Sequence, residues 1–584
     1  MPQPLLWNDR SVVALAAAAL VLTVGIIAFQ MSERQGLLDS SIVTIFYRLF
    51  LFEDYPAAFL HLAILLLALI RPIQRVAIAL TDLVAAHPFV VAGLGLCAFS
   101  VGSLTWYQAH PLAMDEYVPV LQSEIFAAGR LLGQVPPELV DWLIFPSFQG
   151  YFLYVSHATG QFGSAYWPGF ALLMTPFTAK GVSWLCNPVL GAAALLVIYR
   201  LTLSLTNYRT AAGAAVVLAL ASPAFVINAI SYYSMTAHLL CNAAFTLLLL
   251  RPNARRAVAA GLIGGLALTL HNPLPHMLFA APWALWLLWR VDRRRNFPAL
   301  LAGYLPFVIV IGFGWNDLVA SLNQGAAAAS ATASGPLGAV ASKLGGVLAW
   351  PSGPLLQARL IGLMKLWIWA VPSVVVMAAV GFWRNRRDAR FRLLAASAAL
   401  TLLGYLFVPA DQGHGWGFRY FHSAWLVLPI FAAAAVGRRE RPNASAAEHR
   451  AASALAPYLL SASLLSLLLL VPYFGFQVRS FLAAHLAQLP RAESGEPRVV
   501  IINPVMQYYA QDLAQNDPFL REPVILMVTR GRKADALMMQ RHFPDLVLLS
   551  ATYKGTVWGK PAQPPGEATA GLGALGVAAQ QQRK

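Results

Sequence analysis

Charge is scarce in this chain. Only 11% of its 584 residues are Asp, Glu, Lys or Arg, against about 25% in ordinary soluble domains, which excludes a charged solvent-facing shell around a soluble core. Cysteine is nearly absent as well. The three that occur, Cys97, Cys186 and Cys241, lie in or beside apolar stretches without metal-ligand spacing, so neither a disulfide framework nor a thiolate zinc site is supported. Nucleotide-binding loops are missing: there is no GxxxxGK[ST], no GxGxxG after a strand and no Asp-x-Asp, leaving direct use of ATP, NAD or a soluble nucleotide sugar without support. Acid is the scarcer sign, with 25 Asp and Glu against 41 Lys and Arg and a net charge of +16. The basic residues cluster at the ends of apolar runs, where membrane topology puts them, and the charge is not read as a nucleic-acid surface.

What the chain has is apolar length. Hydrophobic residues make up 58% of it, which rules out intrinsic disorder. Stretches fit to cross a bilayer recur at 11–30, 56–70, 88–107, 188–205, 210–228, 236–250, 257–271, 274–290, 297–315, 360–382, 392–409, 421–437 and 455–474. That makes about thirteen spans, some shorter than the usual ~20 residues. The first lacks a basic leader, and Met31-Ser32-Glu33 is a poor cleavage site, so it reads as an anchor and not a signal peptide.

Strict alternation puts Arg71 and Arg75, Arg209, Arg251 to Arg256, Arg290 to Arg295, Arg384 to Arg392 and Arg438 to Arg450 on one side. The opposite loops hold only Arg34, Arg48, Arg130, Lys180, Lys343, Arg359 and Arg419 between them. The arginine-rich side is expected to be cytoplasmic, with the N-terminus inside and the C-terminal tail outside, in a bacterial inner membrane.

Two external regions exceed simple connectors, 108–187 and 316–359. In the first, Tyr117 to Leu132 carries apolar residues at helical spacing and is expected as a helix on the membrane surface. Phe170 to Phe177, opened by Tyr166-Trp167-Pro168-Gly169, is expected as an interfacial or re-entrant segment. Gly325 to Gly346 is rich in Ala, Gly and Ser and reads as a mobile loop. Beyond Phe474, runs such as Val499–Ile502, Val524–Val528 and Leu546–Leu549 alternate with helical Ala534–Arg541, predicting a small external α/β module. A cap without chemistry is its plainer role. The expected organisation is an all-α polytopic membrane part over 1–474, an α/β module over 475–560 and a disordered tail over 561–584.

Ala113-Met114-Asp115-Glu116-Tyr117 places two carboxylates at the mouth of the first long loop. A partly desolvated carboxylate there suits a general base, and Asp115 equally suits a helix N-cap. A second constellation, Pro409 to His422, combines Gly413, Gly415 and Gly417 with His414, Arg419 and Tyr420. Its glycines allow close backbone approach and Arg419 offers a fork for phosphate; the alternative is a tight turn with an interfacial Arg-Tyr anchor. His271 and His276 bracket a turn where phosphate, a divalent metal or plain solvation all fit. No motif supports a required metal or cofactor.

The acidic pair after an early span, the following helix with Glu124 and Gly129, and the aromatic-Pro-Gly segment Tyr166–Gly169 resemble the first external loop of the C-type (GT-C) glycosyltransferases. The likeness is to family 39-like members, bacterial relatives of protein O-mannosyltransferases and of the lipid A aminoarabinose transferase, and it covers roughly 88–437. The chain departs from that pattern by extra spans before the acidic loop and by Trp167-Pro168 where a Pro-Pro pair is usual. The resemblance implies that Asp115 is the catalytic base, that the donor is a sugar on a polyprenyl phosphate, and that transfer inverts the anomeric centre. Glu116 and Tyr117 would position the base. Arg419, then Lys365 or His271, would balance the leaving phosphate, while Tyr166, Trp167, His414 and Tyr420 would contact substrate. The acceptor would be a lipid, glycan or protein at the outer face. Two rivals are a transporter or flippase of lipid-linked sugars, disfavoured by nearly acid-free spans and the lack of a duplicated half, and a ligase or polymerase moving whole oligosaccharides.

Overall fold

The structure, a computed structural model, describes residues 10–37, 45–323, 349–409, 415–436, 446–492 and 494–561. The chain is mostly helical and divides into two units, Met1–Pro111 with Tyr166–Ser480 and Leu112–Ala165 with Phe481–Lys584. The start of the first long loop thus belongs with the tail, and not with the helices on either side of it.

Among the described residues, five helices are long and apolar enough to cross a membrane: Arg10–Gln35, Pro88–Thr105, Ser183–Thr206, Asn296–Ala320 and Ala454–Leu486. Two bent pairs bring the count to seven, Tyr55–Leu67 with Arg71–Ala86 at 96° and Arg209–Leu220 with Pro223–Ile230 at 66°. Of five shorter apolar helices, Met235–Leu249, Leu274–Trp289, Val374–Asn385 and Val427–Val436 overlap expected spans, and Gly169–Thr178 overlaps the segment expected to be interfacial or re-entrant. The chain is a multi-pass membrane protein. Proline sets the second bend: Pro223 opens its helix and holds Ser222 extended at ψ 115°, since the residue before proline avoids the helical region.

Glycine lets two of the helices touch. A Cβ on Gly261 would strike the Leu300 carbonyl, and one on Gly303 would strike the Val258 carbonyl, so Ala254–Thr269 and Asn296–Pro306 approach backbone to backbone. A π-helical turn, Leu49–Glu53, delivers Asp54 into the interior, where its own N–H bonds the Leu49 carbonyl at 2.8 Å. Such turns break the regular ladder and re-aim the residue that follows.

In the second unit the helix Met114–Ala127 buries ten of its fourteen residues. The expected membrane-surface helix, with an open polar face, is therefore an enclosed one. Its polar Gln122 is satisfied within the unit, accepting from Ser164 N–H at 3.0 Å and donating to the Leu131 carbonyl at 3.0 Å. Three short strands, β1 (Gly133–Gln134), β2 (Leu153–Val155) and β3 (Gln161–Ser164), pair antiparallel in the order β1-β3-β2. The tail holds β4 (Glu496–Ile502), β5 (Ile525–Val528), β6 (Val547–Thr552) and β7 (Gly555–Lys560) in the order β5-β4-β7-β6, with the helix Arg532–His542 between β5 and β6. β4 runs parallel to β5 and antiparallel to β7. Val500, Ile502, Leu513, Val528 and Val557 form its buried core.

Candidate functional site

The acidic motif opens the helix Met114–Ala127 in the second unit. Ala113 is its N-cap, in extended conformation and without a side-chain cap bond, so Asp115 is not the cap. Glu116 does that work: it is fully buried and its Oε2 accepts from Leu112 N–H at 2.8 Å, the reach-back of an acid in the first turn. Asp115 remains half-buried beside it. The tail segment supplies the neighbours. Asp512 Oδ2 accepts from Met114 N–H at 3.2 Å. The Tyr117 hydroxyl donates to the Asn516 carbonyl at 2.6 Å and accepts from Asn516 N–H at 2.8 Å. Burial, opposed by the Met114 N–H and assisted by the charge of Asp115, pushes the Asp512 carboxyl up to about 7. Burial first, then the charges of Glu124, Glu522 and Asp517, holds the Tyr117 hydroxyl well above the ordinary phenol range.

Two turns further along, burial, then Asp517 and Glu522, pushes Glu124 up to about 8, with Arg521 opposing. An acid raised in this way is protonated in the folded chain where the unfolded chain is ionised. The folded state therefore binds more protons between the ordinary carboxylate value and about 8, and stability falls as pH rises through that window. Glu124→Gln is expected to remove this slope, raising the unfolding temperature in detergent at pH 8–9 and changing it little near pH 5.

In the first unit Arg419 is buried, its guanidinium 4.5 Å from the Tyr233 ring centroid. The short helix Arg419–His422 is anchored from below. Asn242 donates to the Ser423 carbonyl at 2.9 Å, Asn242 Oδ1 contacts His276 Nδ1 at 2.6 Å, and His276 Nε2 contacts the Tyr304 hydroxyl at 2.6 Å. Because Asn242 offers its oxygen, His276 donates from Nδ1 and takes the tyrosine proton at Nε2. His238 lies one helical turn before Asn242 on the helix Met235–Leu249. It is 1% exposed and neither ring nitrogen has a hydrogen-bond partner among the described residues; Ser234, Thr236 and Ser423 have buried hydroxyls in the same condition. Buried polar atoms of this kind are normally satisfied by water or ligand. Tyr420 stacks on Tyr405 at 4.4 Å and lies under Arg359 at 4.8 Å.

Tyr166, Trp167 and His271 come together. The Tyr166 and His271 rings are 3.9 Å apart, Trp167 N–H donates to the His271 carbonyl at 3.0 Å, and Trp167 Nε1 donates to Asn316 Oδ1 at 3.2 Å. His271 is half-buried and its Nδ1 meets the Asn272 amide at 2.8 Å; His276 is fully buried. Neither is the solvated turn residue that the sequence allowed. Lys365 is elsewhere: it is fully buried with its Nζ 3.1 Å from Asp54 Oδ2. The same carboxylate accepts from Trp369 Nε1 at 2.9 Å and Gln477 Nε2 at 3.0 Å. His414 and Gly325 to Gly346 lie outside the described residues, and among the described residues no group of three or more His, Cys, Asp or Glu is placed to hold a metal.

No protein-family model matches the sequence, and no curated protein matches it. Solved structures do. ArnT from Cupriavidus metallidurans bound to undecaprenyl phosphate superposes with TM-score 0.50 at 13% identity, covering 82% of this chain and 100% of that one. The chain shares the fold of that ArnT structure. The apo state of the same ArnT gives TM-score 0.47 at 13% identity over 82% of this chain and 100% of that one. An Archaeoglobus fulgidus oligosaccharyltransferase in complex with zinc and sulfate gives 0.32 at 13% identity over 81% and 59%.

Within this fold the sequence picked out Asp115, Glu116 and Tyr117 in one unit, and Arg419, Tyr420, Tyr166, Trp167 and His271 in the other. It missed His238, Asn242, Tyr304, Asp512 and Asn516. The first three sit in apolar runs where a single polar residue reads as tolerated burial, although His238, Asn242 and Thr246 recur at helical spacing and so mark one face. The last two are about 400 residues from the helix they hold, beyond any local pattern.

Proposed function

We propose that this chain is an integral-membrane glycosyltransferase that moves a sugar from a polyprenyl-phosphate carrier to an acceptor hydroxyl at the outer face of a bacterial inner membrane. The observation that carries the reading is the setting of Arg419. A buried guanidinium on an aromatic face, a few residues before Ser423, whose buried hydroxyl, like the His238 ring, has no partner among the described residues, suits an anion with several oxygens. Phosphate is the anion that this chemistry favours. The fold supports it further, since the superposed ArnT structure holds undecaprenyl phosphate.

Asp115 takes the proton of the acceptor hydroxyl. The oxygen attacks the anomeric carbon opposite the phosphate, the bond from that carbon to the phosphate oxygen breaks, and the polyprenyl phosphate leaves carrying both electrons of that bond. The configuration at carbon is inverted. Arg419 meets the charge that develops on the departing phosphate, with His271 and His238 as further donors. Lys365, paired with Asp54, contributes by fixing the interior. Tyr166 and Trp167 offer faces for sugar or lipid. In this account about thirteen apolar segments cross the membrane, and the tail strands β4 to β7 belong to a periplasmic α/β domain.

The test is equilibrium binding to purified protein in detergent, read by tryptophan fluorescence, of undecaprenyl phosphate against undecaprenol. The phosphate form binds more tightly, and Arg419→Gln weakens it about 10- to 100-fold, the loss of a charged hydrogen bond, leaving undecaprenol binding unchanged. Equal binding of both lipids, or an Arg419→Gln variant that binds the phosphate form as well as the parent, contradicts the reading.

A further inference from the structure

The tail segment Tyr509–Asn516 grips the first turn of the acidic helix from a distance of about 400 residues in sequence. It begins at Tyr509, held in the left-handed region at φ 56°, and continues as the short 3-10 helix Ala510–Leu513. Its base is fixed by His485, whose Nε2 lies 3.0 Å from the Tyr509 carbonyl. From this turn Asp512 reaches Met114 N–H at 3.2 Å, and Asn516 closes two bonds with Tyr117, at 2.6 and 2.8 Å. The two residues flanking Asp115 and Glu116 are thus both held by the tail. Of these two acids, Glu116 is committed to Leu112 N–H.

We propose that Asp512 is a positioning residue for Asp115, setting the direction of the turn that carries it and, through its own charge, the readiness of that carboxylate to take a proton. The tail module then has a share in the chemistry beyond capping the fold. Asp512 is 6% exposed, so its carboxylate has few other uses. The charge that bears on it is that of Asp115. Among the other ionisable groups of this unit, Glu124, Asp517, Glu522 and Arg521 act on one another or on Tyr117, and His485 faces the Tyr509 carbonyl. Burial and Asp115 together place Asp512's own titration at about 7, so its charge changes in the neutral range. Two nearby carboxylates each raise the other's proton affinity and titrate as a pair.

The inference rests on the role proposed for Asp115, and two substitutions test it. Asp512→Asn keeps an oxygen for Met114 N–H and removes the charge. Its kcat is expected to fall about tenfold with the donor KM unchanged, and the acidic limb of the pH profile to move down by about one unit. Asp512→Ala also removes the oxygen and is expected to lose a further factor of about ten; should it fail to fold, Asp512→Asn carries the test alone. A parent-like rate and pH profile for Asp512→Asn, alongside an inactive Asp115→Asn, overturns the inference and leaves the reading of Asp115 intact. An active Asp115→Asn overturns both.

Discussion

Asp115→Asn is expected to lower the rate of sugar transfer about 1000-fold, within the range that general-base catalysis supplies, while the protein folds and binds its lipid as before. The local structure makes this a clean experiment. Asp115 is inside the helix and not at its cap, Glu116 satisfies Leu112 N–H, and Met114 N–H is taken by Asp512. Asparagine has the same shape and leaves all of these bonds in place, so a loss of rate cannot be assigned to a frayed helix. Glu116→Gln supplies the contrast. Its amide oxygen still accepts from Leu112 N–H, and its effect is expected to stay below about tenfold because the side chain faces the backbone. Kinetics of both variants, with unfolding temperatures measured in the same detergent, check the pair. Similar losses at both positions would move the base from Asp115 to the motif as a whole.

Lys365→Met is expected to destabilise the membrane unit by about 3–5 kcal/mol, the cost of leaving a buried carboxylate without its cation. Asp54 would keep the Trp369 and Gln477 donors, which soften the loss without neutralising the charge. The double variant Asp54→Asn with Lys365→Met removes both charges and is expected to recover most of the stability, since a buried pair gains little over neutral residues of similar volume. Thermal unfolding in detergent reads both. This comparison also separates two roles for Lys365. If Lys365→Met were as stable as the parent and instead failed to bind polyprenyl phosphate, the lysine would belong to the ligand and not to Asp54.

The sequence made the membrane part legible because one physical demand, about 20 apolar residues per crossing, leaves a mark that needs no partner to be read. Pro88–Thr105, Ser183–Thr206 and Asn296–Ala320 all lie where apolar length put them. Boundaries were less clear. Leu486, not Phe474, ends the last long helix, because Tyr473 and Phe474 bring aromatic rings to a helix that continues, with Phe474 4.0 Å from Trp369. β7 escaped notice since Gly555 and Gly559 interrupt its Thr-Val-Trp core, and glycine conceals strand periodicity.

The acidic motif could be found from its neighbours, but what holds it could not. Asp512 and Asn516 look like ordinary loop residues until the chain closes on itself. The same is true of Asp54, which a π-helical turn redirects inward to meet Lys365. Lys365 is named from the resemblance as a candidate partner of the leaving phosphate, while the carboxylate that answers its charge lies more than 300 residues earlier in the chain.

The most direct measurement follows the glycosidic bond itself. Purified full-length protein, in detergent and in liposomes, is incubated with undecaprenyl phosphate carrying a radiolabelled hexose or pentose, and label is followed by partition between lipid and water. The account predicts that wild type frees undecaprenyl phosphate and passes the label to an acceptor hydroxyl or to water, and that Asp115→Asn does not. Label that crosses the liposome bilayer while still attached to its lipid, with no release by wild type, would contradict it and identify a carrier in place of a transferase.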